Sequence, residues 1–385
     1  MKIANRMKNV PGSGTLEILS LANELEQNGK DIIHLEVGQP DFNTPQHIKE
    51  AAEKALERGE TGYTPSNGIP ELREALAQYL SEREINRKPD EIIVTPGAKH
   101  SLFSAMTVAL DPDDEIIIPS PCWTYEGMVR ILNANPVFVK AEEENQFELN
   151  PEKVKEKISS NTKMLLLNYP NNPTGSLLDE ETMHAIADLA ADHDFWILTD
   201  EVYERIVYTE TPPSIASYSN CEERTIYING FSKTYAMTGW RLGYTAGPAD
   251  FISEMIKIQQ NSTTCAAAFV QSAGLAALKE SQDCVREMVS EYEKRRNIIV
   301  DRLNSIEGIH CVKPEGAFYV FPNIEELGKE SMAFCKYLLS NAGVATTPGS
   351  AFGPGAEGNI RISYAESVKR IEKALDRMEQ AVSSL

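Results

Sequence analysis

Residues 225–247 read TIYINGFSKTYAMTGWRLGYTAG. The β-branched and aromatic residues at 225–228 predict a buried strand, residues 229–232 predict a polar loop, and residues 242–246 predict a second strand. Lys233 therefore lies between two apolar strands, where an unpaired ammonium group is costly. A lowered pKa would relieve that cost and would make the amine a nucleophile toward carbonyl groups. The alternative interpretation is a solvated lysine in a surface loop.

Short apolar strands alternate with helices on both sides of this stretch. The alternation predicts a parallel, three-layer α/β domain whose ligands lie beyond the carboxyl ends of the strands. A long charged helix predicted at 283–307 is typical of a connection into a second domain. The predicted strands are 32–37, 92–95, 115–118, 137–140, 164–168, 195–199, 318–321, 344–345 and 360–363. The predicted helices are 15–28 (with Thr15 as N-cap), 46–58, 70–83, 98–110, 123–132, 179–193, 283–307, 331–341 and 366–382.

Length and composition limit the classes of protein to which this chain can belong. A chain of 385 residues is long enough for two domains, and a net charge of −20 repels phosphate backbones, so nucleic-acid binding is not expected. The N-terminal MKIANRMKNV has no apolar segment of a signal peptide, and no long apolar run predicts a membrane span. Six scattered cysteines indicate free thiols, so we expect a cytoplasmic protein. The histidine spacing predicts no metal site.

Polar residues follow several of the predicted strands. Asp200 ends the strand in FWILTDEVY, where its carboxylate could keep a pyridine nitrogen protonated or could simply cap a helix. Tyr203 could direct its phenol at the oxygen of such a ring. Asn172, in the loop NPTG, could donate to the same oxygen or could merely form a turn.

A glycine joins another predicted strand to its helix at Gly97–Ala98–Lys99. The free N–H groups and the dipole at such a junction suit a phosphate, although many junctions of this kind bind nothing. Ser232 and Arg241 lie close to Lys233 in sequence and could contact the same phosphate. Lys99 could instead face a second carboxylate of a substrate, or be solvated.

Two further residues could contact a cofactor or a substrate. Trp123, in PCWTY, is predicted to begin a helix, where its indole could stack on a cofactor ring or pack in the core. Arg361, in NIRISYA, has the planar fork that suits an α-carboxylate, or it forms a structural ion pair. The GPGAEG at 353–358 precedes a predicted strand rather than a helix, so it does not predict a dinucleotide site.

Taken together, these motifs resemble the class I aminotransferases of the pyridoxal-phosphate fold-type I superfamily. The string S-K-x-x-x-x-x-G-x-R-x-G is matched by Ser232, Lys233, Gly239, Arg241 and Gly243, and the likeness runs from VGQPDF at 37–42 to IRISYA at 360–365. The resemblance implies a mostly parallel seven-stranded sheet in a large domain. It also implies a smaller α+β domain built from the C-terminal part and an N-terminal segment. The expected boundaries are 1–44, 45–282 and 283–385.

The resemblance also implies roles for individual residues. Lys233 would hold pyridoxal phosphate as a Schiff base and move the substrate's Cα proton, with Asp200 and Tyr203 as the other catalytic residues. A tyrosine from the neighbouring subunit of a homodimer, Tyr63, would reach the cofactor's phosphate. The remaining cofactor contacts would be Gly97, Ala98, Lys99, Trp123, Asn172, Ser232 and Arg241. The substrate contacts would be Gly38, Lys99, Trp123, Asn172 and Arg361.

Within the family, the chain is most similar to the prokaryotic aspartate aminotransferase subgroup, on the strength of GSGTLEI, Lys99 and NGFSKTYAMTGWRLGY. In that subgroup a lysine matching Lys99, with Thr15 nearby, recognises a distal carboxylate. We therefore expect a ping-pong transfer from L-aspartate to 2-oxoglutarate. Three alternatives remain: an aromatic or broad-specificity aminotransferase, a C–S lyase on the same scaffold, and a non-catalytic binding protein.

Overall fold

The computed structural model describes residues 2–12 and 14–385, so Met1 and the Ser13 of the GSGTLEI motif lie outside the described residues. The strands of the described part are β1 (Ile33–His34), β2 (Ile92–Thr95), β3 (Glu115–Ser120), β4 (Asn135–Lys140), β5 (Thr162–Asn168), β6 (Trp196–Asp200), β7 (Thr225–Gly230), β8 (Gly243–Ala246), β9 (Tyr319–Val320), β10 (Val344–Ala345), β11 (Thr347–Pro348) and β12 (Ile360–Ser363).

The α-helices of the described part are α1 (Gly14–Gln27), α2 (Gln46–Glu57), α3 (Pro70–Ser81), α4 (Ala98–Ala109), α5 (Glu126–Ile131), α6 (Pro151–Lys155), α7 (Glu180–His193), α8 (Phe231–Thr234), α9 (Ala249–Gln260), α10 (Ala268–Lys279), α11 (Asp283–Leu303), α12 (Ser331–Asn341) and α13 (Val368–Val382). None of the helices in the described residues is both long enough and apolar enough to cross a membrane.

The central sheet has seven strands in the order β2-β8-β7-β6-β5-β3-β4. The pairs from β4 through β3, β5 and β6 to β7 are parallel, whereas β8 is antiparallel to both β7 and β2. Alternate residues of β3 belong to different hydrophobic clusters: Ile116 and Ile118 pack in one, and Ile117 packs in another. Both faces of the sheet are therefore covered, which explains why its strands are nearly continuous apolar runs. The predicted three-layer, mostly parallel α/β fold is confirmed.

The carboxyl ends of these strands place the polar residues singled out above at one edge of the sheet. Asp200 ends β6, Asn168 ends β5 beside it, and Gly230 ends β7 immediately before α8. β2 also ends at this edge, because it is antiparallel to β8, which is itself antiparallel to β7. Its last residue is followed by Gly97 and α4.

The C-terminal part of the chain packs around two small sheets, one pairing β1 with β10 and one ordered β11-β12-β9. A single hydrophobic cluster joins buried residues of α1 and β1 to buried residues of α11, α12 and α13. This packing brings an N-terminal segment onto C-terminal elements, as the resemblance implies. The boundaries at residues 44 and 282 stay a prediction.

Three local predictions are wrong. Residues 229–232 were expected to form a loop, but β7 continues to Gly230 and α8 begins at Phe231, so Lys233 is held by a helical turn. Trp123 does not begin a helix, because α5 begins at Glu126 and the tryptophan lies in the preceding loop. Thr15 is not an N-cap, because α1 begins at Gly14.

Other predicted elements differ at their ends or were missed. The strand expected at 32–37 is reduced to β1, because the following residues leave the small sheet as the chain passes toward the central cavity. The helices α6, α9 and α10 had no predicted counterpart. Val344–Ala345 and Ile360–Ser363 form strands within the predicted bounds.

Candidate active site

A cavity of about 450 Å³ opens at the carboxyl edge of the central sheet. It collects residues from distant parts of the chain, because the loops after β2, β3, β5, β6 and β7 converge there with β9 and β12 of the small sheet. The predicted site residues that line it are Thr15, Gly38, Ala98, Lys99, Trp123, Asn172, Asp200, Tyr203, Ser232, Lys233, Arg241 and Arg361. Gly97 lies directly against the Arg241 guanidinium, and Tyr63 lies elsewhere.

Lys233 lies at the base of this cavity. Its Nζ donates a hydrogen bond of 2.5 Å to the carbonyl oxygen of Gly38 and lies 5.6 Å from the centre of the Tyr203 ring. Burial and, to a smaller extent, the Arg361 guanidinium together lower the pKa of Lys233 to about 8, although the Asp200 carboxylate partly opposes that change. A substantial fraction of this amine is therefore neutral near pH 8, as a nucleophile or a base requires.

Asp200 is held at the end of β6 by two donors. The Tyr125 hydroxyl donates to its Oδ2 at 2.8 Å, and the backbone N–H of Val202 donates to its Oδ1 at 3.4 Å. Burial raises the pKa of Asp200 to about 6, while the Tyr125 hydrogen bond, the Val202 N–H and Lys233 lower it. The result is a fixed carboxylate that is ionised at neutral pH and lacks water around it, which suits a cationic partner.

Asn172 and Tyr203 are both fixed by neighbours. The backbone N–H of Asn172 donates to the Asn168 side-chain oxygen at 3.1 Å, and its Oδ1 accepts from Arg361 at 3.0 Å. This leaves the amide nitrogen of Asn172 as its donor group. The Tyr203 hydroxyl lies 2.7 Å from the Tyr319 hydroxyl, and burial raises its pKa well above the ordinary value.

Arg361 is a buried guanidinium at the wall of the cavity. One terminal nitrogen donates to the Glu36 carbonyl oxygen at 2.5 Å, and the same nitrogen lies 3.3 Å from the Thr347 hydroxyl. Its Nε is buried and has no hydrogen-bond partner among the described residues. Burial lowers the pKa of Arg361, because the charged form has lost its water. A buried cation with an unpaired donor beside a cavity is arranged for an anionic ligand.

A second anion cradle is formed where α4 begins. Gly97, with φ of +90°, precedes the helix and supplies no side-chain acceptor to its first N–H groups. A Cβ at this position would collide with the Arg241 guanidinium, so only glycine lets the arginine lie against the helix end. Ser232 lines the same cavity. The first N–H groups of α4, a hydroxyl and a guanidinium together suit a phosphate.

Lys99 extends along the cavity wall toward Trp123. Its Nζ lies 4.5 Å from the centre of the indole ring, a cation–π geometry. Burial lowers the pKa of Lys99, and so does the charge of Arg241. Trp123 itself packs edge-to-face against Tyr125, with ring centres 5.3 Å apart. None of the described residues pairs a carboxylate with Lys99, so its charge is available to a ligand.

Tyr63 is not part of the cavity of its own chain. Its side chain is 88% exposed, and it lines a separate surface cleft together with residues of α2 and α10, among them His47 and Ser272. Within its own chain, Tyr63 is not among the described residues that line the cavity.

The sequence analysis missed several residues of the site, and three of them contact predicted site residues. Tyr125 holds Asp200, Asn168 positions Asn172, and Tyr319 contacts both Tyr203 and Arg361. Tyr125 lies two residues after Trp123 in the quoted PCWTY, and the end of the strand in front of YPNNPTG would have indicated Asn168. Tyr319 had no local signal, because it is an apolar-looking strand residue whose partners are far away in sequence.

Comparisons with known proteins found a family model and relatives that match nearly the whole chain. Residues 30–378 match the family model described as aminotransferase class I and II. An aspartate aminotransferase of Pyrococcus abyssi is 45% identical over 359 residues, 92% of each chain, and aromatic-amino-acid aminotransferase 2 of Thermococcus litoralis is 42% identical over 99% of this chain and 98% of the other. The solved aspartate aminotransferase of Thermus thermophilus with maleate has a TM-score of 0.94 and 39% identity, covering 99% of this chain and 100% of the other.

Proposed function

The chain belongs to the class I and II aminotransferases, and from this membership we propose that it transfers the amino group of L-aspartate to 2-oxoglutarate, giving oxaloacetate and L-glutamate by a ping-pong mechanism. It is a pyridoxal-phosphate-dependent transferase. One observation carries the proposal: the half-buried amine of Lys233 shares a cavity with the Asp200 carboxylate and the Arg361 guanidinium.

The residues present fit the cofactor. The cradle of Gly97 and Arg241 suits a phosphate, and the buried Asp200 suits a protonated ring nitrogen. We propose that the phosphate is held by the backbone of the Gly97–Ala98–Lys99 turn together with Ser232 and Arg241. The ring nitrogen would be held by Asp200, the ring oxygen by Asn172 and Tyr203, and the ring face by Trp123. When bound, pyridoxal phosphate supplies an aldehyde that reacts with amines and a ring that withdraws electrons from the substrate's Cα.

Lys233 is the residue that we propose moves the proton. Its Nζ is held by the Gly38 carbonyl oxygen, and its pKa of about 8 lies close to neutral pH. A base of that strength accepts a proton from carbon and returns it without being locked in either protonation state. Asp200 and Arg361 are buried, which strengthens their electrostatic field at the reacting atoms.

Two cations are proposed to hold the two carboxylates of the substrate. Arg361 offers its unpaired Nε to the α-carboxylate, with Gly38 and Asn172 as neighbours. Lys99, with Thr15 on the same cavity, would take the distal carboxylate of aspartate. The solved Thermus thermophilus aspartate aminotransferase is described with maleate, itself a dicarboxylate, and this supports the assignment.

The covalent link to Lys233 is tested directly. The purified protein should be yellow, and reduction with borohydride should leave the cofactor attached to the peptide that contains Lys233. Lys233→Ala should lose both the attachment and the activity, whereas Lys99→Ala, a matched loss of a cavity lysine, should keep the attachment. A wild-type protein without cofactor on that peptide would disprove the mechanism.

A panel of amino donors tests the substrate. Aspartate should react much faster than phenylalanine, alanine or cystathionine, and Lys99→Ala should slow aspartate while leaving phenylalanine little changed. Equal losses with all donors would contradict the role of Lys99. The Thermococcus litoralis relative gives the aromatic alternative its support, and phenylalanine as the best donor would favour it. Release of sulfur product from cystathionine would indicate a C–S lyase, and no turnover would indicate a binding protein.

We also propose a homodimer in which Tyr63 completes the partner's site. Its 88% exposure and its distance from the cavity of its own chain support this role. Co-expression of Tyr63→Ala with Lys233→Ala tests it, because a mixed dimer would combine both defects in one site and leave the other intact. Recovery of activity in the mixed dimer is expected, and none would contradict the proposal.

The remaining proposals concern location and domain boundaries. The six cysteines are unpaired, which supports a reducing cytoplasm, and cell fractionation would test it. Domain boundaries near residues 44 and 282 are supported by the cluster that joins α1 to α11, α12 and α13. Limited proteolysis that cuts near residue 282 would agree with the second boundary.

A further inference from the structure

We propose that Tyr319 is a positioning residue that donates its phenolic proton to Tyr203 and thereby directs the Tyr203 proton into the cavity. The two hydroxyl oxygens are 2.7 Å apart, and both side chains are buried. The inference rests on the proposed function, because it assigns how Tyr203 is prepared to meet the ring oxygen of the cofactor. Its consequence is that the two tyrosines act as one donor.

The direction of the hydrogen bond follows from which phenol is the stronger acid. Two hydroxyl groups at this distance share one proton, and the group that gives it cannot donate elsewhere. The Arg361 guanidinium lies 4.6 Å from the centre of the Tyr319 ring, where its charge stabilises the developing phenolate of Tyr319. Burial raises the pKa of both phenols, and that of Tyr203 is raised much further; the Arg361 charge opposes the rise at both, and at Tyr319 it is second only to burial. Tyr319 is therefore the donor and Tyr203 the acceptor.

The backbone fixes Tyr319 between its partners. In the antiparallel pair of β9 and β12, Tyr319 lies opposite Ser363, so Arg361 is its diagonal neighbour on the same face of the sheet. On its other side, a Cβ at Gly38 would collide with the Tyr319 hydroxyl. Gly38 therefore leaves room for this hydroxyl as well as accepting a hydrogen bond from Lys233.

The ring and the hydroxyl of Tyr319 have separable effects. The ring supports the Arg361 guanidinium, which we propose binds the α-carboxylate, and the hydroxyl directs Tyr203. Tyr319→Phe keeps the ring and removes only the hydroxyl, so the Michaelis constant for the amino donor should change little. Tyr319→Leu removes both, so the Michaelis constant should rise as well, by roughly fivefold to tenfold for a lost cation–π contact.

The experiment is a pH titration of the absorption spectrum of the holoenzyme. A hydrogen bond donated to the ring oxygen stabilises its anionic form, so weakening that donor moves the pH midpoint of the spectral change upward. We expect Tyr319→Phe to raise the midpoint by about 0.5 to 1 pH unit, the equivalent of one hydrogen bond. A shift of this kind would not arise from a purely structural role.

A double-mutant cycle shows whether Tyr319 acts through Tyr203. In a Tyr203→Phe background, Tyr319→Phe should cause no further shift. The matched control is Tyr292→Phe, because Tyr292 packs 5.3 Å from Phe318 in the same core and its buried hydroxyl has no hydrogen-bond partner among the described residues. This control should leave the midpoint unchanged.

The outcomes separate this inference from the proposed function. If the wild type carries a pH-dependent cofactor spectrum and Tyr319→Phe does not move it, the positioning role is wrong and the proposed function stands. A shift that persists in the Tyr203→Phe background would also overturn the positioning role. If the wild type carries no cofactor on Lys233, both proposals fail.

Discussion

Replacing Asp200 by asparagine should stabilise the protein without its cofactor. Burial raises the pKa of Asp200 from an ordinary value of 3.8 to about 6, so the folded apo-protein holds this proton more tightly than the unfolded chain does. As pH rises from about 4 through about 6, the carboxylate must ionise in a place that disfavours its charge, and stability is lost. Since one pKa unit corresponds to about 1.4 kcal/mol, the loss above pH 6 is about 3 kcal/mol.

Asparagine has nearly the same shape but no charge, so it escapes this cost. The free energy of unfolding of apo Asp200→Asn should therefore match the wild type near pH 4 and exceed it by about 3 kcal/mol at pH 7. With the cofactor present the order should reverse, because asparagine cannot pair with a protonated ring nitrogen and the wild type gains more from binding. The same substitution thus stabilises one state of the enzyme and weakens the other.

Urea unfolding of the apo-proteins between pH 4 and pH 8, at one fixed protein concentration, measures this difference. Asp192→Asn is the control, because Asp192 is exposed and its replacement should give no pH-dependent difference. If apo Asp200→Asn gains no stability relative to the wild type between pH 4 and pH 7, then Asp200 does not carry a buried charge in the apo-protein. The electrostatic reasoning about the site would then be refuted.

Three further predictions follow from individual contacts. Gly97→Ala places a Cβ against the Arg241 guanidinium in a backbone conformation with φ of +90°. The Kd for pyridoxal phosphate, measured by fluorescence titration, should therefore rise about tenfold or more. An unchanged Kd would contradict the role of Gly97 and Arg241 in holding the phosphate. Arg361→Lys keeps the charge but loses the planar guanidinium, so kcat/KM for both the amino donor and the oxo acid should fall by roughly tenfold to a hundredfold. A loss confined to one substrate would argue against a carboxylate site that both substrates share. Tyr125→Phe removes a 2.8 Å hydrogen bond to Asp200. The apo-protein should then lose stability at a pH about one unit higher than the wild type does. An unchanged pH dependence would show that Tyr125 does not stabilise the Asp200 carboxylate.

The sequence was sufficient to predict the site residues that lie at or just after the ends of strands. Asp200 ends an apolar run, Asn172 and Lys233 follow one within a few residues, and parallel strands bring such ends to one edge of a sheet. The fold class followed from the same alternation. The helical turn at α8 was not predictable from residues 229–232, because its asparagine and glycine favour a loop and only pairing with β8 extends the strand to Gly230.

Contacts between distant parts of the chain were beyond sequence reasoning. Tyr203 and Tyr319 are 116 residues apart, and Arg361 is 325 residues from Glu36, whose carbonyl oxygen it contacts. Neither pair leaves a local pattern, because each side chain is an ordinary member of its own strand or turn. The missed α10 has a different cause. Its buried residues, among them Gln271 and Gly274, share one face, but its sequence AFVQSAGLAALK is small or apolar on nearly every side, so it lacks the polar opposite face that marks a surface helix.

The charges around the cavity explain why the site needs its ligands. Of the described residues that line it, Lys99, Lys233, Arg241 and Arg361 are cationic and Asp200 is the carboxylate, although the whole chain has a net charge of −20. Burial lowers the pKa of Lys233 and Arg361, which means that these two cations are held at a cost, whereas Lys99 is exposed. A phosphate and two carboxylates would offset that cost, since buried charges are tolerated when they are paired. Binding of the anions therefore offsets the cost of the unpaired cations. Dicarboxylates should raise the free energy of unfolding of the apo-protein more than monocarboxylates of equal size do.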